Sequence, residues 1–501
     1  MSGSYEEAMR KANEIREELI RREDNPPEAW EIEQFLEKSG WELLRTFLQG
    51  WLDSLAAKER AAKELAAKKK VPVDVVGPDG IRRPYARGRS RTLMTPFGEV
   101  TANRLGYSAP GATSVFPLDK QLNWPLRTYS SALQDRAALG VANDSYDKTI
   151  EQIDLYTGGH VPKRQAEVVA REYAQDFDGF YRQRQASEQS QAKEDFLVLT
   201  LDGKGVVMLH EDLREETRRR AEQSVHKLET RLSTGEKHNR KRMATVAAVY
   251  SVDAYPRAPE EIMDKEAREQ LPPAPKPVDK RVWASLEHSP AEVLDEMVAE
   301  GKRRDPAGKL KWVFLVDGSD EQLRQVHKAI KRHKILAFVL MDFVHILDYL
   351  WDAAWCLYKQ GDPAAEEWVK QHAIDVLLGK SSDVAAGMRR SATHRGLSEA
   401  ERKPLDICAN HLIKNREHLR YDEAPNKGMP IATGVIEGAC RHLVRRRMEC
   451  SGATWSLKGA EAVLRLRAVT MSGDWKEYSA YHREKERSRN YPETAAQRLA
   501  A

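Results

Sequence analysis

Cysteine is scarce in this chain and never closely paired: Cys356, Cys408, Cys440 and Cys450 are the only four in 501 residues, and no two form a C-x-x-C. They point to free thiols in a reducing compartment. Long apolar runs are missing as well. None approaches the ~20 residues a membrane helix needs, and the opening MSGSYEEAMRKANEI lacks the apolar core of a secretory leader. A cytoplasmic protein is expected. Charge of one sign is not in excess: 81 Lys and Arg stand against 77 Asp and Glu, a net +4. A mildly basic average can conceal strongly basic local surfaces, so nucleic-acid contact has to be sought patch by patch. What is abundant is charge of both signs, 32% of residues, beside 41% apolar content, enough for real cores. The length suits roughly three domains.

Residues 311–355, KWVFLVDGSDEQLRQVHKAIKRHKILAFVLMDFVHILDYLWDAAW, read as strand, helix, strand, helix. The run 312–316 is short, β-branched and aromatic, and Gly318 follows the acid that closes it, so Asp317 sits at a strand's carboxyl end. In open α/β sheets that edge carries the ligand crevice. Alone, Asp317 could simply cap the next helix. Upstream, FLVLTLDGKGVVML at 196–209 reads as two apolar strands around a tight turn, with Asp202 closing the first, and ATVAAVYSV at 244–252 reads as a third. Two adjacent strands, a third, then strand-helix-strand is the RNase H-like order, in which an acid ending the first strand neighbours one ending the fourth. Asp202 and Asp317 hold those places. A Pro-rich loop and a helix capped at Ser289-Pro290 lie between. From 356 to about 420 helix follows helix with no strand candidate, as in an all-helical insertion.

The earlier chain is mainly helical. Residues 1–70 carry helical apolar spacing broken at Asn25-Pro26-Pro27, and 71–128 form a small hairpin and loop region whose RRPYARGRSR, with no balancing acid, suits phosphate contact or is a solvated loop. Residues 129–190 hold three helical segments spaced like a helix-turn-helix, placing Lys163, Arg164 and Gln165 at the start of the groove-facing helix. Any short helical bundle reads the same way. The expected architecture is therefore α/β: an RNase H-like mixed-sheet core in 191–350 and 428–475, interrupted by the helical insertion 351–427, preceded by mainly helical DNA-binding regions and followed by a tail, 476–501.

After the insertion, GMPIATGVIEGACRHLVRRRM places Glu437 near a helix start, off its apolar face. It is either a first-turn charge favoured by the helix dipole or a third acid. With LTLDGKGV, FLVDGSDE, the D-x-x-H of MDFVHILDYLW, GVIEGACRHLVRRRM and SGATWSLKGAEAVLRLRAV in place, the chain resembles an ISKra-type bacterial insertion-sequence transposase, a group akin to the Mutator-like transposases. PFGEV and FPLD extend the likeness forward, although RLGYSAPGATSVFPLD lacks the cysteines that family commonly carries there. The resemblance implies three acids, Asp202, Asp317 and Glu437, that bind two divalent ions, Mg²⁺ or Mn²⁺. It also implies transposon-end and target DNA as partners, with a homo-oligomer on paired ends.

Three carboxylates suit this chemistry because two metals activate water and stabilise the leaving 3′ oxygen, and hard oxygen donors suit Mg²⁺. Asp342 and His345 are read as supporting the site or positioning DNA, against the plainer reading of a satisfied core histidine. Arg441, Arg445, Arg446 and Arg447 follow Glu437 closely and are read as phosphate contacts, against a solvated face. Trp455 is read first as core. Two other classes remain open: a domesticated DNA-binding protein without cleavage, which the presence of all three acids argues against, and a structure-specific RNase H-like nuclease without strand transfer.

Overall fold

The computed structural model describes residues 5–70, 75–187, 191–224, 227–228, 230–449 and 452–493. Cys450, the first residue of SGATWS and the end of the tail at 494–501 lie outside the described residues. The chain divides into two compact units, Met1–Phe180 with Asp474–Ala501, and Tyr181–Gly473.

In the first unit, helix α1 (Glu6–Glu23) ends before the proline pair, and α2 (Ala29–Lys68) runs unbroken through what the periodicity divides into several segments. One face of α2 carries Thr46, Gly50, Leu52 and Ala56 into burial. Leu52 joins Leu93, Val100, Ala102 and Trp124 in a core between the helix and an antiparallel sheet. A two-stranded ribbon, β1 (Val75–Val76) with β2 (Arg82–Arg83), precedes that sheet, whose strands run in the order β3 (Tyr85–Thr95), β4 (Gly98–Ala109), β5 (Ala112–Val115). The expected hairpin is the β3–β4 turn. The arginine cluster divides: Arg82, Arg87 and Arg89 are exposed, while Arg83 and Arg91 are held by the protein. Arg83 is 1% exposed and pairs with Asp79, the balancing acid the sequence reading overlooked, while Arg91 donates to the carbonyls of Pro125 and Arg127. Both are structural. A short α3 (Pro117–Gln121) leads to α4 (Ser131–Asn143), α5 (Tyr146–Tyr156) and α6 (Lys163–Ala174), which pack on one another. The last expected helix is broken after Ala174, and α7 (Phe177–Ser187) follows. Asp176 at the break is buried because His482 and Arg489, from the final helix, hold its carboxylate.

The second unit is built on a five-stranded mixed sheet. Its strands are β6 (Phe196–Val207), β7 (Lys241–Val252), β8 (Val278–Ser285), β9 (Lys311–Val316) and β10 (Ala337–Met341), in the spatial order β10-β9-β6-β7-β8. β7 is antiparallel to both its neighbours, while β9 is parallel to β6 and β10. Two strand assignments change. The tight turn expected after Asp202 does not exist: β6 continues to Val207 and pairs with β7 along its whole length. Gly203 and Gly205 are not turn glycines but clearings over which the side chains of Met243 and Lys241 fold from the next strand. The sequence reading also missed β8, hidden behind the Pro-rich run by Asp279, Lys280 and Arg281, although its second half is fully buried. Five strands are expected and five are found, by two compensating errors.

Between β6 and β8 lie α8 (Glu215–Gln223), α9 (Pro259–Met263) and α10 (Lys265–Glu269), and α11 (Pro290–Arg304) starts at the capping box of Ser289 and Glu292, as read. Helix α12 (Asp320–His333) connects β9 to β10, and α13 (Phe343–Ala354) follows. Then α14 (Pro363–Leu377), α15 (Ser381–His394) and α16 (Glu399–Lys414) pack on α13 or on each other, with no strand among the described residues before α17 (Gly434–Ala439). A π-helical turn at Cys440–Arg445, α18 (Arg446–Met448) and α19 (Leu457–Met471) complete the unit, and α20 (Trp475–Asn490) belongs to the first unit. Residues 476–490 of the expected tail are thus a helix packed into a core, with Tyr478 fully buried.

Arg281 of β8 is tolerated in the core because Glu300 of α11 pairs with it, with Arg303 and with Arg304, all of them buried. The surrounding guanidinium groups hold the Glu300 carboxyl well below its ordinary range despite burial, which alone raises it. A depressed carboxylate stabilises the fold above its unfolded value of ~4.3 and loses that contribution as pH falls toward its folded value. Glu300→Gln, which strands buried arginines, is expected to cost about 3–5 kcal/mol in urea unfolding at pH 7. The gap between the variant and the parent should narrow as the pH is lowered below 4, by the same measurement.

Candidate active site

Strand β6 pairs with β9 in parallel only as far as Thr200 opposite Leu315. Carrying that register two residues further sets Asp202 beside Asp317, on one face of neighbouring strands spaced ~4.8 Å apart. Asp202 is therefore not at a strand end, as read, but at the point where its parallel partner stops and its antiparallel partner continues. Asp317 does stand just past its strand. Both acids are half-buried. Burial first, and the Asp202 charge after it, hold the Asp317 carboxyl above its ordinary value, while His345 pulls the other way. His345 is exposed on α13 and faces this pair electrostatically.

Gln322 of α12, which the sequence reading passed over, spans the gap left where the ladder stops. Its Nε2 donates to the carbonyl of Leu201 at 2.7 Å, and its Oε1 accepts from the amides of Asp317 at 3.1 Å and Gly318 at 3.4 Å. A glutamine five residues after a strand-end acid carries no signal by itself. Gly318 is required twice over, by φ of +91° and by Met341, whose methyl would lie 2.0 Å from an added Cβ.

Glu437 lies exposed on α17, which packs on β6 and β7. Three positions on, Cys440 shares its helix face and donates its thiol to Asp202 Oδ2 at 3.2 Å. Burial pushes the Cys440 thiol up, and the charges of Asp202 and Glu437 push the same way. The π-helical turn after it is held from α19, where Arg467 donates to the carbonyls of Leu443, at 2.8 Å, and His442. Single π turns occur frequently at functional sites.

Asp342 and His345 part company. Asp342 is 1% exposed and caps α13, accepting from the Val344 amide at 2.9 Å and from the Thr433 hydroxyl. The Phe343 amide donates to the Ile431 carbonyl at 2.8 Å. Together these contacts fasten the start of α17 to the end of β10, so Asp342 positions the segment that carries Glu437 and cannot itself touch DNA. Among the arginines, Arg441, Arg445 and Arg446 are exposed. Arg447 is a correction: it is 7% exposed with its guanidinium 4.9 Å from the Trp455 ring centroid, so it packs the core rather than facing a phosphate. Trp455 is core, as read, and bonds both sides of Met208 by bridging Val207 and Leu209. In the other unit, Lys163, Arg164 and Gln165 are exposed at the start of α6, with Lys163 2.8 Å from Asp147.

Two carboxylates held side by side, one of them raised by burial and then by the other's charge, are a donor set that suits a hard divalent cation. The third is not assembled with them: among the described residues no three His, Cys, Asp or Glu side chains converge as an ion's ligands would. The Asp202 oxygens are engaged by Cys440 and by the Gly203 amide.

Gln322→Ala strands the Leu201 carbonyl and two amides, and is expected to cost about 1–3 kcal/mol in urea unfolding. Asp342→Ala, which removes a cap and orphans Thr433, should cost at least as much. If either variant unfolds like the parent, the clasp it belongs to does not hold the acids in place. No protein-family model matches the chain, and a search of curated proteins returns no match.

Proposed function

We propose that this chain is a DDE-type DNA transposase with an RNase H-like core, which cleaves phosphodiester bonds at insertion-sequence ends and joins the freed 3′-hydroxyl to target DNA. The observation that carries the reading is the parallel register of β6 and β9, which sets Asp202 beside Asp317 in a sheet ordered 3-2-1-4-5 by strand sequence within the unit. That order, with the second strand antiparallel to its neighbours, is the one the RNase H-like reading requires. The strand-free stretch from α14 to α16 is then the helical insertion.

Held by Asp202, Asp317 and Glu437, Mg²⁺ or Mn²⁺ would supply the charge that activates the nucleophile and stabilises the leaving oxygen. The remaining roles fall to the chain's own side chains. Exposed Arg441, Arg445 and Arg446 sit one to two turns beyond Glu437, where the phosphates of a DNA strand lying on the acids would pass. His345 stands beside Asp317, placed to orient the strand. Cys440 holds Asp202 through its thiol, on an oxygen that would otherwise be open to a cation. End recognition falls to the first unit, with Lys163, Arg164 and Gln165 facing the groove. Two ends held together call for a homo-oligomer. No helix among the described residues is long and apolar enough to cross a membrane, which fits a DNA partner in the bacterial cytoplasm.

Incubating the purified protein with a matched donor end, Mg²⁺ and a target plasmid is expected to give both nicks and joined products. Asp202→Asn, Asp317→Asn and Glu437→Gln should each lower cutting by more than about 100-fold, the loss of several kcal/mol of charge stabilisation, while leaving end binding intact. A variant that cuts like the parent removes that residue from the triad. Nicks without joined products would reduce the activity to a nuclease. Asp317→Asn carries a second expectation. A half-buried carboxylate raised by burial and by a neighbouring charge costs stability once ionised, so in chelator at pH 7 the variant should melt above the parent. A lower melting temperature would mark Asp317 as a structural cap.

A further inference from the structure

Strand β10 is an edge of the five-stranded sheet, and that edge is closed only in part. Successive residues of a strand turn their backbone groups to opposite sides. The Asp342 amide, just past β10, donates to the Val316 carbonyl of β9. Even-numbered residues of β10 therefore face β9, and Ala337, Val339 and Met341 face outward. Met341 is capped there, because the Tyr421 hydroxyl donates to its carbonyl at 2.8 Å. The 3₁₀ turn Arg416–His418 packs on the same strand. At Ala337 the cover ends: among the described residues nothing bonds its outward N–H or carbonyl. An open strand edge is a template for another chain.

The open end lies in a groove of about 780 Å³ at the start of β9 and β10. The acids stand at the other end of these strands, roughly 20 Å away at ~3.3 Å per residue. Leu336 lines the groove and is 95% exposed, more than any other large apolar side chain among the described residues. The rim is cationic. Lys302, Lys311 and Lys334 are exposed, and among the described residues no acid pairs with them. The one acid in the lining, Asp305, is buried and engaged by the chain itself. It accepts from the amides of Lys309 at 2.7 Å and Leu310 at 3.1 Å and from the Trp312 indole at 3.0 Å, so it shapes the rim loop.

These features select an occupant. Three cations without an acid call for anionic groups, Leu336 for an apolar side chain, and the outward backbone of Ala337 for a main chain. A single nucleic-acid strand would need aromatic faces for its bases. Here Arg420 and Lys427 already stand 5.1 and 5.5 Å from the Phe338 ring centroid, and Trp312 is buried. The lining also holds no Ser, Thr, Asn or Gln to read base edges. We infer that the start of β10 is a docking site for an extended acidic peptide of a partner protein. The peptide adds a strand at Ala337, sets an apolar side chain on Leu336 and places its carboxylates among Lys302, Lys311 and Lys334.

The test is fluorescence anisotropy of the full chain with a labelled octapeptide of alternating leucine and glutamate. Saturable binding is expected, at least about tenfold tighter than that of a serine-glutamate octapeptide of the same charge. Leu336→Ser should weaken it by more than about tenfold, the scale of burying one leucine, and Lys302→Glu with Lys334→Glu should do the same. Ala337→Pro, which removes an outward N–H where an edge strand tolerates proline, should weaken it too. Lys359→Glu, an exposed lysine outside the groove, should leave it unchanged. Melting curves verify that the variants fold, and if Ala337→Pro unfolds, the exposed Leu336→Ser decides alone. Absence of binding, equal binding of the serine-glutamate peptide, or Leu336→Ser binding like the parent overturns the proposal. An octamer of oligo-dT that binds more tightly than the peptide and is lost in Leu336→Ser would overturn it in favour of nucleic acid.

Discussion

The parallel pairing of β6 with β9 is the constraint on which the rest of the second unit depends. It fixes Asp202 and Asp317 against each other to the tolerance of a hydrogen-bonded ladder, and then it stops, at Thr200 opposite Leu315. Beyond that point two carboxylates lie next to each other with no backbone bonds between their strands. The repulsion would splay them apart if only β7 held the outer length of β6. Gln322 closes the gap by bonding to both strands at once, from a helix that starts on the far side of the Gly318 turn. The arrangement keeps two like charges close at a cost in stability, since the Asp202 charge adds to burial in disfavouring the ionised Asp317.

Most of the second unit was legible because buried strands are short, β-branched and bounded. β9, α12, β10 and α13 stand where the pattern of 311–355 puts them, and α11 begins at its capping box. The errors have physical causes. A glycine pair after an acid signals a turn in isolation, but here the antiparallel partner β7 supplies side chains that fill the glycine clearings, and tertiary pairing overrides the local signal. β8 was illegible because a strand carrying Asp279, Lys280 and Arg281 looks solvated until Glu300, on another element, neutralises the arginine. The same blindness applies to Arg83 and Arg447, whose partners are an acid on a turn four residues back and an aromatic ring eight residues on. A basic run shows its charges in sequence and hides their partners.

Within the candidate site, types of residue were easier to find than their roles. Asp202, Asp317 and Glu437 are visible as acids in recognisable settings, and Asp342 as one member of a D-x-x-H. Only the coordinates separate Asp342, buried and spent on Val344 and Thr433, from His345, exposed beside Asp317. Gln322 had no sequence signal at all, because a clasp is defined by the two strands it joins.

The two aspartates and the glutamate are held by different kinds of structure, and that difference bears on how a site built from them would work. The aspartates ride on a ladder and a glutamine clasp, both rigid. Glu437 rides on a six-residue helix pinned at its start by Asp342 and the Phe343 amide, and followed by a π turn whose carbonyls bond Arg467. An element tethered at both ends but unpaired to the sheet can rotate by a fraction of a turn at small cost, where a strand cannot shift without breaking its register. Cys440, on the same face as Glu437, occupies Asp202 Oδ2 with a weak thiol donor rather than with an arginine or lysine. A thiol is displaced from a carboxylate far more readily than a cation, because its hydrogen bond is weak and it carries no charge. The aspartate pair is thus fixed in advance, and the helix bearing the third acid rests on a contact that a competing ligand can break.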